Sequence, residues 1–371
     1  MDLDLVREKA ELVALCSLPG ITTRRIRDMM TLYGSPAGAW EALRLGAAST
    51  PVGMQDSVQG SWQDIAIHTH PESELDAMRR ASIHTVVRGE SCYPRLLAQT
   101  SGAPWALFYR GALPDPTEPC VAVVGSRKAS PYGREAARWL ARALARNGVV
   151  VVSGAAYGVD HAAHIGALEA DRHTIAVLGC GVDIAYPRSS ASLLLRIAES
   201  GCVLSEYPPG VPPAKFRFPA RNRIIAGVSL AVVVVEAAED SGALLTADIA
   251  LAESREVMAV PGQIFSATSR GTNSLLKSGA TAATSPEDIL SEIGIESLAQ
   301  LEDQGRGQPL TLENRAGHRL LRALAGGISD PEELSIAAGL SAAETLSQLA
   351  RFEVEGKIVR GPGGYYQVAA P

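Results

Sequence analysis

From residue 121 to residue 290 the chain repeats one pattern: a run of apolar residues, a turn of small residues, and then an amphipathic helix. The apolar runs are, in chain order, VAVVG, VVVVSG, TIAVLG, CVLSEY, LAVVVVEA and EVMAVPG. Runs this rich in Val, Ile and Leu that alternate with helices are typical of a parallel sheet covered by helices on both faces. The pattern therefore predicts an α/β fold, and HTVVRG and WALFYRG are two further short strand candidates ahead of it.

The beginning of the chain is predicted to be a helical hairpin. Helical periodicity lies on both sides of the sequence LPGITT, where a Pro-Gly break is followed by Thr22 or Thr23 as a helix cap. This form is similar to the SAM and helix-hairpin-helix units that touch nucleic-acid backbones. A small helical module that only contacts other proteins fits the pattern equally well.

The end of the chain is predicted to be a winged helix. Two helical segments are separated by Ala-Gly-Leu-Ser, and a pair of short strands with a Gly-rich turn follows. The sequence EDQGRGQP before this region is typical of a linker. We therefore predict a helical domain at 1–75, a sheet domain at 76–290, a linker at 291–308 and a winged-helix domain at 309–371.

Composition narrows the class of protein. Of 371 residues, 46% are hydrophobic and 20% are charged, with no apolar run of membrane-spanning length and no leader-like amino terminus. We therefore expect a cytoplasmic protein without a membrane anchor. The five cysteines include no C-x-x-C pair, which indicates neither a disulfide framework nor a zinc site.

The charge balance bears on possible nucleic-acid partners. A formal net charge of −6 argues against a basic coat for duplex DNA, although residues 121–290 are close to neutral, with 16 Lys or Arg against 15 Asp or Glu. Residues 309–371 carry six basic and seven acidic residues, whereas a reader of the major groove displays several basic residues on its recognition helix. For the winged helix we therefore favour contact with a protein over contact with duplex DNA.

The turns that follow the predicted strands are candidates for an anion site. Ligands of such sheets collect beyond the carboxyl ends of the strands, and Gly125, Ser126 and Arg127 follow the first run of the repeat. Free amides and a helix amino terminus in such a turn suit a phosphate. The segment GSRKASPYG nevertheless matches neither the P-loop pattern nor the dinucleotide pattern, and no G-x-S-x-G elbow is present.

A possible metal site in GVDHAAHIGAL is weakly supported. Asp160, His161 and His164 are close in sequence, but no second pair of ligands lies near them. We therefore expect no bound metal and no cofactor.

The segment KFRFPARNRIIAG carries the clearest chemical signal. It contains four basic residues, no carboxylate, and two interleaved phenylalanines, namely Lys215, Phe216, Arg217, Phe218, Arg221 and Arg223. Cations neutralise phosphates and aromatic rings stack on bases, a combination that single-stranded nucleic-acid sites use. A solvated loop whose phenylalanines pack in the core is the alternative. Arg127, at another strand end, favours an extended phosphate track.

The order of the motifs resembles one family. VAVVGSR, VVSGAAYGVDHAAHIGAL, AVLGCGVDIAYP, LSEYPPG, FPARNRIIAGVS, VVVEA, SGALLTADIALAESREVMAVPG and GTNSLLKSGA occur in the order typical of the DNA-processing protein A family, also called Smf. This resemblance covers about residues 90–290, and the flanking regions agree with the three-part layout of the family.

The resemblance implies a non-catalytic protein with an extended Rossmann-like domain. Such a protein binds and protects incoming single-stranded DNA, loads RecA recombinase onto it during natural transformation, and works as a homodimer. The DNA pocket that the resemblance implies comprises Gly125, Ser126, Arg127, Phe218, Arg221, Asn222 and Arg223, and the basic segment adds Lys215 and Arg217.

Two positions depart from the family. Ala220 stands where a basic residue is frequent, and Tyr157 stands where an arginine is frequent. Both changes remove charge from the expected pocket and shift the expected contacts toward Lys215 and Arg217, although Tyr157 offers a ring for stacking instead.

The alternative function is that of a Rossmann-like nucleotide sensor or a nucleoside-monophosphate hydrolase. Such hydrolases carry a P-G-G-x-G-T loop followed by an acid. This chain has the sequence from Ser241 to Thr246 in its place.

Overall fold

A computed structural model describes residues 3–47, 56–295, 320–321, 323–324, 328–354, 357–361 and 366–368 of the chain. These residues divide into two compact units, Met1–Ile289 and Leu290–Pro371.

The first unit begins with five helices, α1 Leu3–Cys16, α2 Thr23–Tyr33, α3 Pro36–Arg44, α4 Asp56–His68 and α5 Pro71–Arg80. The hydroxyl of Thr22 caps α2 by accepting a hydrogen bond from the amide of Arg25 at 3.2 Å, as the sequence predicted. Leu15, Trp40 and Trp62 are at the centre of the apolar cluster between these helices. The Trp105 indole donates to the carbonyl of Thr23 at 3.0 Å and joins the helices to the sheet.

The sheet has nine strands: β1 His84–Val87, β2 Ala106–Gly111, β3 Cys120–Val124, β4 Val150–Ser153, β5 Thr174–Leu178, β6 Cys202–Ser205, β7 Ala231–Val234, β8 Glu256–Ala259 and β9 Thr281–Ala282. Their order is β1-β2-β6-β5-β4-β3-β7-β8-β9. Strands β3 to β9 are parallel, while β1 and β2 form an antiparallel edge. The chain moves outward in both directions from β3, so the turn after β3 lies at the switch point where ligands collect.

Helices cover both faces of this sheet. They are α6 Arg95–Ala98, α7 Pro131–Arg146, α8 Val159–Leu168, α9 Ala191–Ser200, α10 Arg217–Gly227, α11 Gly242–Ala252, α12 Arg270–Lys277 and α13 Pro286–Glu292. Alternate residues of β5 show the two faces: Ile175 packs in one core with Ile224 of α10, and Ala176 packs in the other with Ile197 of α9.

The second unit contains the elements of a winged helix. These are α14 Pro331–Ala338, α15 Ala342–Val354, and a hairpin of β10 Ile358–Arg360 and β11 Tyr366–Val368. The carboxylate of Asp330 caps α14. Leu334, Phe352 and Ile358 are buried together between the helices and the hairpin.

The predicted fold class is confirmed: an extended, mostly parallel α/β sheet with helices before it and a winged helix after it. The boundary at residue 75 stays a prediction, and most of the predicted linker lies outside the described residues. No helix in the described part of the chain is long and apolar enough to cross a membrane.

Candidate nucleic-acid interface

The turns after β3 and β4 are in direct contact at the carboxyl edge of the sheet. The amide of Val159 donates to the carbonyl of Ser126 at 3.2 Å. Gly125 makes this approach possible, because a Cβ at this position would lie 2.6 Å from Val159 Cγ2 and 2.8 Å from the carbonyl oxygen of Glu236. The first two predicted site residues thus shape the turn through their backbone.

The amino terminus of α7 already holds an anion of the protein itself. Glu236, which directly follows the run of valines in β7, is 4% exposed, and its Oε2 accepts from the amide of Ser130 at 2.7 Å. The hydroxyl of Thr268 donates to its Oε1. The position that favours a phosphate in a Rossmann fold is therefore filled by a carboxylate.

Arg127 is exposed, and no carboxylate of the described residues lies within 4 Å of its guanidinium. Its guanidinium carbon is 5.4 Å from the centre of the Phe218 ring. That ring stacks on Tyr186 with 5.2 Å between the ring centres and 27° between the planes. The two segments that sequence analysis singled out, GSR and FPARNR, therefore meet through a cation and an aromatic ring.

A further contact joins this group to the turn after β4. The hydroxyl of Tyr157 lies 2.7 Å from the hydroxyl of Ser189, three residues after Tyr186. Tyr157 also precedes Gly158, which packs against the backbone of Arg127. We refer to Arg127, Tyr157, Tyr186, Ser189 and Phe218 as the edge cluster.

A second cation–aromatic group involves the beginning of α10. The guanidinium carbon of Arg217 is 5.0 Å from the Tyr207 ring centre and 5.4 Å from that of Phe216. Arg217 also donates to the carbonyl of Pro212. Lys215 is exposed and Phe216 is 70% exposed. This part of the basic segment is at the surface, as the stacking hypothesis requires.

Arg221 differs from these residues because it is buried. It is 4% exposed, and its Nη1 donates to the carbonyl of Gly154 at 2.7 Å and also to that of Val177. Burial lowers the pKa of its guanidinium, an effect that nearby Asp160 opposes. A Cβ at position 154 would lie 2.4 Å from Arg221 Nη2, so any larger residue there would displace the guanidinium. Arg221 thus joins the turn after β4 to strand β5.

Arg223 is paired with an acidic residue. Its Nη2 donates to Glu206, the residue after β6, and both side chains are mostly buried. Burial raises the pKa of Glu206, and Arg223 opposes this rise. The sequence interpretation placed Arg221 and Arg223 on one phosphate track with Arg127, but in this structure neither guanidinium is free. The reason is that residues 217–227 form a helix, which turns these two side chains into the fold.

Asn222 lies on the same helix and connects it to its neighbour. Its Nδ2 donates to the carbonyl of Gly242 at 3.3 Å, at the beginning of α11.

The candidate metal residues have structural partners. Asp160 accepts hydrogen bonds from the amides of Gly154 and Ala156 at 3.2 and 3.4 Å. His164 is fully buried, with Nδ1 2.8 Å from the hydroxyl of Thr174, and burial lowers its pKa to about 3. Among the described residues, no group of three His, Cys, Asp or Glu side chains is arranged to hold a metal ion.

Sequence reasoning missed Glu236 and Tyr186, and it did not anticipate that Arg221 is buried. For Arg221 a signal was present: together with Ile224, Ile225 and Val228 it follows the i, i+3, i+4, i+7 spacing of a buried helical face. A carboxylate directly after a run of valines was the corresponding signal for Glu236.

Fold and surface together define a Rossmann-like α/β protein whose sheet edge exposes cations and aromatic rings. Residues 84–294 match the family of DNA recombination-mediator protein A, and residues 307–364 match the DprA winged helix domain. The chain therefore belongs to the DNA recombination-mediator protein A family, whose members are also named DprA or Smf.

Individual relatives agree with this assignment. The chain is 38% identical over 301 residues to protein Smf of Escherichia coli K12, which covers 80% of each chain. It is 44% identical to a putative DNA processing protein DprA of Mycobacterium tuberculosis over 63% of this chain, and the match spans only 61% of that relative.

Two solved structures are also similar. The X-ray structure of DNA processing protein A from Streptococcus pneumoniae has a TM-score of 0.63 and 33% identity, covering 78% of this chain and 98% of that one. The protein from Helicobacter pylori, described by its unique single-stranded DNA binding mode, has a TM-score of 0.51 and 30% identity, covering 60% of this chain and 96% of that one.

Proposed function

We propose that this protein binds single-stranded DNA at the edge cluster. One observation carries the proposal: the exposed guanidinium of Arg127 lies against the Phe218 ring, which in turn stacks on Tyr186. A guanidinium binds a backbone phosphate whatever the base sequence of the DNA, and rings beside it provide stacking surfaces for bases. The single-stranded DNA binding of the Helicobacter pylori relative supports this assignment.

The predicted site residues then take two different roles. Arg127, Lys215 and Arg217 contact phosphates, because these three cations lie at or near the surface. Arg221 and Arg223 hold the turns and α10 in place, since their guanidinium groups donate to backbone carbonyls and to Glu206.

The remaining features come from the family. We propose a non-catalytic, cytoplasmic homodimer that protects incoming single-stranded DNA and loads RecA recombinase onto it during natural transformation. The winged helix contacts a protein rather than duplex DNA in this proposal, because its formal charge is close to balanced.

The nucleotide-binding alternative has less support. A dinucleotide or nucleotide phosphate needs the helix amino terminus that the carboxylate of Glu236 occupies. Release of base from a panel of nucleoside monophosphates would restore the alternative.

The central experiment measures binding of an oligothymidylate across a salt series. Arg127→Glu is expected to weaken binding at every salt concentration and to flatten the dependence of affinity on salt, because one phosphate contact is lost. Arg80→Glu makes the same change of charge on α5, at an exposed position outside the sheet edge, and is expected to bind as the wild type does. Equal binding by wild type and Arg127→Glu would refute the proposal.

Two further measurements test the roles taken from the family. Sedimentation equilibrium over a concentration series reports the homodimer. RecA filament formation on DNA coated with single-strand-binding protein, with and without this protein, reports loading. An unchanged filament rate would remove the loading role and leave DNA binding as a separate conclusion.

A further inference from the structure

The residue expected to stack on a base has little free surface. Phe218 is only half-buried by its own helix and turn, but its ring already contacts Arg127 and Tyr186. A base that stacks on an aromatic ring needs one open face of that ring. The open aromatic surface of the edge cluster belongs to two other residues, since Tyr186 is 43% exposed and Tyr157 is 52% exposed.

These two tyrosines are fixed in position. Tyr186 stacks on Phe218, and the hydroxyl of Tyr157 is hydrogen-bonded to Ser189. Ser190 strengthens the connection by donating to the carbonyl of Ala155 at 3.5 Å, between the same two segments. Held rings lose little conformational entropy when a base stacks on them, so they bind better than free ones.

The contacts of the edge cluster form a closed path. Arg127 lies on Phe218, Phe218 stacks on Tyr186, and the segment after Tyr186 reaches Tyr157 through Ser189. From Tyr157 the chain continues to Gly158, whose backbone packs on that of Arg127. Contacts therefore connect both exposed rings to the segment that carries Arg127.

From this arrangement we infer that Tyr157 and Tyr186 form a base-stacking subsite for the strand whose phosphate Arg127 binds. Phe218 contacts both Tyr186 and Arg127 and holds them in position. The subsite accepts any base, because every base presents a face for stacking and neither tyrosine ring reads a base edge. This inference rests on the proposed single-stranded DNA binding and assigns its base contacts.

The test compares two ligands of the same charge. One is an oligothymidylate of about 12 nucleotides, and the other is an oligomer of equal length built from abasic sites. Tyr157→Ala and Tyr186→Ala are each expected to weaken binding of the thymidylate by about 5- to 100-fold. Both are expected to bind the abasic oligomer as the wild type does, because its phosphates still meet Arg127.

Matched variants separate stacking from positioning. Tyr157→Phe removes the hydrogen bond to Ser189 but keeps the ring, so it is expected to weaken binding of the thymidylate much less than Tyr157→Ala does. Trp139→Ala removes another exposed aromatic ring, which lines a separate groove with Val260 and Pro261, and is expected to have no effect.

Each outcome has one meaning. If the alanine variants lose affinity for both ligands equally, the tyrosines only support the turns and the inference is wrong. If they bind the thymidylate as the wild type does, the bases stack elsewhere and the inference is also wrong. If the wild type binds neither ligand, the proposed function itself has failed.

Discussion

The turn after β3 and the helix α10 both bring arginines to the carboxyl edge of one sheet, but they use them in opposite ways. Arg127 projects from the turn with an exposed guanidinium, whereas Arg221 on the helix is 4% exposed and donates to two backbone carbonyls. A basic residue at a ligand edge therefore either meets the ligand or holds the scaffold. Burial and hydrogen-bond partners, rather than residue type, distinguish the two roles.

The positively polarised groups at this edge also differ in whether the protein itself supplies their negative partner. The amino terminus of α7 is satisfied by Glu236, and the buried Arg221 is balanced by Asp160. Arg127 has no such internal counterpart within the described residues. Of the two arginines, Arg127 is therefore the one whose charge a bound phosphate could neutralise at the smaller cost in desolvation.

The largest effect is expected from Arg221→Met. The change leaves Asp160 buried without its cation and removes the donors for the carbonyls of Gly154 and Val177, so the free energy of unfolding is expected to fall by about 3 to 5 kcal/mol. Urea denaturation measures it, with Arg127→Met as the control of matched chemistry. A wild-type unfolding curve for Arg221→Met would mean that the buried arginine is not structural.

A smaller loss of stability is expected from Glu206→Gln. The side chain loses its charge opposite Arg223, and a hydrogen bond between charged partners contributes about 1.5 to 3 kcal/mol. Denaturation and thymidylate binding are measured together, with Glu169→Gln, the exposed partner of Arg138, as the control. Loss of stability with unchanged affinity supports the structural role of Arg223. Loss of affinity alone would return Arg223 to the DNA site.

The buried side chain of His164 is expected to make the stability of the fold depend on pH. Burial lowers the pKa of His164 from 6.5 to about 3, so its contribution to stability is complete above pH 6.5 and is lost as the pH falls toward 3. The slope from this one proton is at most about 1.4 kcal/mol per pH unit. His164→Gln is expected to flatten the decline between pH 6 and 4 in urea titrations, and half-buried His161→Gln is not. Parallel pH profiles for wild type and His164→Gln would exclude His164 as the cause.

Arg127→Ala is expected to have the smallest effect on the free energy of unfolding. An exposed arginine whose guanidinium lies on an aromatic ring contributes at most about 1 kcal/mol through that contact, so the unfolding free energy is expected to fall by no more than this amount. The salt dependence of thymidylate binding, plotted as log K against log salt, is expected to lose about 0.7 from its slope. Arg80→Ala is the control for both measurements. An unchanged slope would assign the phosphate contact to another residue.

Sequence patterns predicted the layers of this fold well, because β3 to β8 are apolar runs that alternate with helices along the chain. VAVVG and TIAVLG became β3 and β5 within one residue of their predicted ends. The position of Arg127 at a strand end also followed from the pattern, since the carboxyl edge of a parallel sheet collects turns.

The partners of the basic residues could not be predicted in the same way. Arg221 donates to the carbonyl of Val177, which is 44 residues away in the sequence. Arg223 donates to Glu206, the residue after β6. Such pairs are created by packing of α10 onto the sheet and leave no local signature. The stack of Tyr186 on Phe218 has the same origin, so the proposed subsite became visible only in three dimensions.

Glu236 has a consequence for how this protein would behave inside a cell. ATP and the dinucleotide coenzymes are abundant in cells. A Rossmann-type helix amino terminus without an internal carboxylate would bind their phosphates. A built-in carboxylate repels their phosphates and leaves the proposed contacts to surface cations such as Arg127 and Lys215, each of which binds one phosphate weakly, so that binding strengthens with the number of phosphates in a polymer. The occupancy of the edge cluster would then depend little on metabolite concentrations. It would depend mainly on the length of the DNA strand.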